Sequence, residues 1–114
     1  MIHESATPHA MGYRDTTPAA VVASAGKVRV VDVREPHEFV GELGHLAGAE
    51  LVPLATVEAA AAGWDKDAEL VLVCRSGARS GRAAALLTQL GFTKAMIMVG
   101  GMLAVTEAKL PVVR

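Results

Sequence analysis

Much is scarce in this chain, and each scarcity removes a class of protein. There is one cysteine, Cys74, so no internal disulfide can form and nothing demands an oxidising compartment. Aromatic residues amount to 4%, which leaves Ala, Val and Leu to build the interior of a chain that is 52% hydrophobic. No stretch approaches the roughly 20 apolar residues of a membrane-spanning helix. The opening Met1-Ile2-His3-Glu4-Ser5-Ala6-Thr7-Pro8 has neither the basic start nor the apolar segment of a secretory signal. A cytoplasmic protein that engages no membrane is therefore expected. The formal net charge is −1 with no block of like charge, so bulk electrostatics gives no reason to expect nucleic-acid binding. The histidines at 3, 9, 37 and 45 show no ligand-like spacing with Cys74, and no metal is expected.

What is present is a regular alternation of strand-like and helix-like segments in a chain the length of one domain. Val28–Val33, Ala49–Leu54, Glu69–Val73 and Ala95–Val99 have the β-branched or apolar character of strands. Thr17-Pro18 marks a helix start, with a capping hydroxyl before a proline that fits the first helical position. That helix runs to Gly26. Pro36 opens a short helix to Val40, Ala55–Ala62 is helix-compatible, and a last helix covers Met102–Ala108. Residues 1–12 are expected as a flexible tail or a single edge strand, and 13–114 as the domain. Strand–helix alternation points to an α/β fold, a parallel sheet with helices on both faces.

The chemistry concentrates in Cys74-Arg75-Ser76-Gly77-Ala78-Arg79-Ser80-Gly81, which joins the apolar strand Glu69–Val73 to a helix patterned by Ala83, Leu86, Leu87 and Leu90. In open parallel sheets ligands bind at the carboxyl ends of strands. A short Gly-containing turn can aim successive N–H groups inward as an anion nest, and the helix behind adds its positive end. A thiol held there should ionise more easily than a free one, and Arg75 and Arg79 favour a small oxyanion beside it. Cys74 is thus a candidate nucleophile. Ser76 and Ser80 are candidate hydrogen-bond donors, with Gly77 and Ala78 completing the loop. Asp32 and Arg34, two residues apart at a strand end, are expected as a structural ion pair, and Gly100-Gly101 as a point of close backbone approach. The methionines at 96, 98 and 102 are expected in the core.

These residues resemble the single-domain rhodaneses, or rhodanese-like sulfurtransferases, over most of the chain from Tyr13 to Arg114. The resemblance rests on Val31-Asp32-Val33-Arg34-Glu35 with Glu38-Phe39, on Gly44-His45 with Gly48-Ala49, on Cys74–Ser80, and on Gly100-Gly101-Met102. It implies a central parallel five-stranded sheet flanked by helices, and a Cys74 persulfide formed from thiosulfate or a similar donor. That sulfur would pass to cyanide, a thiol or a protein by double displacement, with no cofactor. In that reading the loop residues Arg75 to Ser80 bind the donor, while Asp32, Arg34 and Gly101 support the loop. The segment Phe39–His45 is longer than the family's usual spacing, Leu46-Ala47 replaces a common Ile-Pro, and Val105 stands where Trp is frequent.

Two other functions share these residues. A sulfur-relay or protein-binding module would use the same fold with little thiosulfate turnover. A cysteine phosphatase or arsenate reductase would need arginine six positions after cysteine, where this chain has Ser80, and an acid in the loop to protonate a leaving group.

Overall fold

The computed structural model describes all residues from Met1 to Arg114. One turn of helix, α1 (Ile2–Ser5), precedes a two-residue strand, β1 (Thr7–Pro8), and then β2 (Arg14–Thr16). The chain continues through α2 (Pro18–Ala23), β3 (Arg29–Asp32), α3 (Pro36–Phe39) and β4 (Glu50–Leu51). A 3-10 turn (Leu54–Thr56) leads into α4 (Val57–Ala61), followed by β5 (Leu70–Val73), α5 (Ala78–Gln89), β6 (Ala95–Met98) and α6 (Gly101–Glu107). The Thr17 hydroxyl caps α2 as its sequence requires, accepting from the amide of Ala20 at 3.1 Å.

The sheet order is β1-β2-β6-β5-β3-β4. Five strands are parallel, as expected, and β1 adds a sixth, antiparallel strand at the β2 edge. β5 is central, and all four of its residues are buried, which is why it reads as an unbroken apolar run. Its alternation sorts side chains between two cores. Leu70, Leu72 and then Cys74 join Ala83, Ala84 and Leu87 of α5 with Val57 and Ala61 of α4. Val71 and Val73 face the other side, with Val21 of α2, Met102 and Val105 of α6, and Met96 and Met98 of β6. Fully burying a side chain such as Leu72 is worth about 1.5–3 kcal/mol, so β5 is a fixed platform for the loop at its carboxyl end.

Residues 1–12, expected as a flexible tail or a single edge strand, supply the edge strand β1 and lie against the domain. Ile2 and Ala6 enter the second core, and the amide of His3 donates to Glu69 at 2.9 Å. Apolar residues four apart on a helical turn give this segment something to bury. The His9 ring stacks on Tyr13 at 4.4 Å, and the Tyr13 hydroxyl lies beneath Gly81 of α5. The long segment after α3 also has a definite path. His45 pairs with Val113 in an antiparallel bridge, and its ring stacks on Phe39 at 3.7 Å. Leu46 and Val105, two of the residues that depart from the family pattern, are both buried in the second core.

Candidate active site

The end of β5 delivers Cys74 to the middle of the sheet's carboxyl edge, and Arg75, Ser76 and Gly77 carry the chain into α5. Gly77 holds φ at +119°, a conformation that side chains disfavour, where the loop turns into α5. That N–H donates to the Cys74 sulfur at 3.0 Å. The Ser80 hydroxyl, one helical turn on, lies 3.1 Å from the same sulfur and 3.2 Å from the Gly77 carbonyl. Burial pushes the thiol's pKa up. Hydrogen bonds from the Ser80 hydroxyl and the amides of Ser80, Gly77 and Ser76 outweigh it, and the pKa lies below its ordinary value.

The loop is shaped from behind by α6. Met102 donates its amide to the Cys74 carbonyl at 2.9 Å, and Leu103 donates to the Arg75 carbonyl at 3.1 Å. In a trans peptide the carbonyl and the next N–H point in opposite directions, so anchoring these two oxygens against α6 turns the amides of Arg75 and Ser76 away from it. Gly101 makes the approach possible. It sits at φ +60°, and a Cβ there would lie 2.5 Å from the Cys74 and Arg75 carbonyls.

Asp32 and Arg34 form a buried two-pronged ion pair, with Arg34 Nη2 to Asp32 Oδ2 at 2.8 Å and Nε to Oδ1 at 2.9 Å. Arg34 also donates to the Gly44 carbonyl at 2.7 Å, tying the end of β3 to the loop after α3. Of the loop arginines, Arg79 is engaged. Its Nη1 and Nη2 reach Glu38 Oε1 and Oε2 at 2.6 and 2.9 Å. Arg75 is exposed, belongs to none of the three ion pairs, and lines a cleft with Arg34, His37, Glu38, Glu42 and Leu103. Ser76 and Ala78 are exposed on the loop's outer surface.

In the sequence Glu38 stands out only within the family resemblance; a carboxylate three residues after Glu35 at a helix start is the signal for its capping role, and it accepts from the Glu35 amide at 3.0 Å. Its bond to Arg79, 41 residues away, had no local signal. The same holds for the Met102 amide. A separate apolar groove lined by Val21, Val28, Leu46 and Val112 shares no residue with the cysteine loop.

The sequence model of the rhodanese-like domain matches residues 18–108, which include every part of this loop and its supports. The chain belongs to the rhodanese-like domain family. A sulfurtransferase of Allochromatium vinosum is 34% identical over 92 residues, covering 81% of this chain and 84% of that protein. The thiosulfate sulfurtransferase GlpE of Pseudomonas aeruginosa is 38% identical over 73 residues, covering 64% of each. A rhodanese-related crystal structure from Thermoplasma volcanium superposes with a TM-score of 0.78 at 29% identity, over 89% of this chain and 98% of that one. Some curated relatives are longer, and this chain spans 58% and 48% of two of them.

Proposed function

We propose that Cys74 carries a sulfane sulfur as a persulfide between a donor and a thiophilic acceptor. The observation that carries this reading is the Gly77 amide and Ser80 hydroxyl, 3.0 and 3.1 Å from the Cys74 sulfur. They favour the thiolate and remain in place for the charge after it moves outward by one atom.

With thiosulfate as donor, the Cys74 thiolate attacks the outer sulfur. A sulfur–sulfur bond forms to Cys74, the donor's sulfur–sulfur bond breaks, and its electron pair leaves with sulfite. The product is a Cys74 persulfide anion. Cyanide then attacks the terminal sulfur, thiocyanate leaves, and the thiolate returns. A thiol or a protein thiolate serves as acceptor in the same way. Ser80 follows the charge. With a neutral thiol its hydroxyl can donate to the Gly77 carbonyl, and with the anion it donates to sulfur. The same hydrogen bonds lower the Cys74 pKa, which favours the thiolate as nucleophile without a separate base, and no cofactor takes part. Arg75 is the cationic side chain available to a donor's oxyanion end. Asp32, Arg34 and Gly101 hold the loop's supports.

A relay in which sulfur arrives on a protein or thiol is favoured by one observation: Arg79 is already paired with Glu38. A reducing compartment such as the cytoplasm suits a lone thiol that must stay free. Thiocyanate formation from thiosulfate and cyanide, compared with persulfide donors, tests which donor the protein uses. A faster reaction with persulfides supports the relay, and faster thiosulfate turnover supports the small-donor enzyme.

A further inference from the structure

Three arginines, at 75, 79 and 82, give the loop region a strongly cationic appearance in sequence, yet the folded protein distributes their charge unequally. Arg79 stands in the first turn of α5, one residue before the serine that touches the Cys74 sulfur. Both of its terminal nitrogens are taken by Glu38, whose side chain is 20% exposed against 31% for Arg79. A two-pronged pair of this kind fixes the guanidinium's direction as well as its charge. The Arg79 hydrogen bonds hold the Glu38 carboxyl at about 2, so the pair stays closed at any physiological pH. Arg34 is likewise cancelled, by Asp32. Arg75 and Arg82 stand outside any ion pair, and of these two only Arg75 lines the cleft.

We propose that Glu38 is a specificity-determining residue of the Cys74 site: by holding Arg79 in a two-pronged ion pair it withholds a second cation from small dianionic donors and shifts preference toward sulfane sulfur carried on a thiol. This inference rests on the sulfur-transfer reading above and deepens it. The thiol-borne reaction balances without oxidant or base: the Cys74 thiolate attacks the terminal sulfur of a persulfide anion, the donor's sulfur–sulfur bond breaks, and a donor thiolate departs as the Cys74 persulfide anion forms. The reacting centre then carries two negative charges in all, against three for thiosulfate, so a second guanidinium matters less.

The test compares the alkylation of Cys74 by iodoacetate, an anion, and iodoacetamide, its neutral analogue, at neutral pH and low salt. The proteins are wild type, Glu38→Gln, Arg79→Gln and the double variant. Glutamine keeps the helix-capping geometry at position 38. The ratio of iodoacetate to iodoacetamide rate should rise roughly three- to tenfold in Glu38→Gln and fall by a similar factor in Arg79→Gln. The double variant should return to within about twofold of wild type, and all differences should shrink at high salt. A purely structural role would move both single variants the same way, and that result, or flat ratios, would overturn the proposal. Each single variant is read by itself, so one that fails to fold leaves the other decisive.

A second readout is the thiosulfate KM, which should drop several-fold in Glu38→Gln with kcat little changed. An unchanged KM in a variant that does load sulfur overturns the proposal. Opposite shifts in the alkylation ratios with no sulfur loading in any protein would remove the sulfur-transfer reading and leave the charge selection by Glu38 standing.

Discussion

The amide of Met102 donates to the carbonyl of Cys74 at 2.9 Å, so the last helix of the domain grips the backbone of the residue that bears its only thiol. Through that bond and its neighbour from Leu103, the orientation of the cysteine loop depends on how closely α6 can approach. Gly101 sets the distance.

Gly101→Ala should therefore be costly in two ways. A methyl group at φ +60°, 2.5 Å from the Cys74 and Arg75 carbonyls, has to push the loop and helix apart. Forcing alanine into this backbone region alone costs roughly 1–2 kcal/mol. Denaturant unfolding should show a loss of about 2 kcal/mol or more, and sulfur loading of the folded fraction should fall. A variant of unchanged stability and activity would show that the close approach has no consequence.

Ser80→Ala should make Cys74 harder to ionise. It removes a hydrogen bond to an anion, an interaction worth about 1.5–3 kcal/mol. Iodoacetamide alkylation followed against pH should reach half its maximum below the usual thiol value of about 8.5 in wild type. In the variant the curve should move to higher pH, with a rate at neutral pH lower by roughly tenfold or more. Coincident curves would mean that the hydroxyl does not act on the sulfur.

The Asp32–Arg34 pair is fully enclosed, so removing one partner strands the other charge without water. Asp32→Asn and Arg34→Met should each destabilise by about 3–5 kcal/mol in denaturant unfolding. Arg34→Met also leaves the Gly44 carbonyl without its donor. Substitution of the exposed Glu50 in its ion pair with Arg29 should cost at most about 1 kcal/mol, even though that pair is shorter at 2.6 Å.

Glu38 supplies an acid-dependent part of the stability. Its folded pKa of about 2 lies below the ordinary 4.5, so the contribution is fully present above the unfolded value and is lost as pH falls toward about 2. Wild type should exceed Glu38→Gln in stability at neutral pH, and the two unfolding free energies should converge across that acid window. A gap that persists below it would assign the stabilisation to packing instead of charge.

Features that lie close together in the chain were legible in the sequence. The apolar run of β5, the glycine at 77 and the helical pattern from Ala83 to Leu90 specify a strand, a turn and a helix, and so place Cys74 at a sheet edge. Thr17-Pro18 likewise announced α2. β2, with only Arg14, Asp15 and Thr16, was silent because a short polar strand has no hydrophobic alternation to read; it is ordered by pairing with β6. The packing of Ile2 and Ala6 was hidden for a related reason, since these residues have meaning only once the second core exists. At the site, the arginines were visible but their charges were not. Arg79 looked available until α3 placed Glu38 against it, and no local pattern spans 41 residues.

Acceptance of a single sulfur atom by Cys74 is tested most directly by intact mass spectrometry after incubation with thiosulfate or a low-molecular-weight persulfide. The expected result is a gain of one sulfur in wild type, reversed by cyanide and absent in Cys74→Ser. Wild-type protein whose mass stays unchanged with both donors would contradict it.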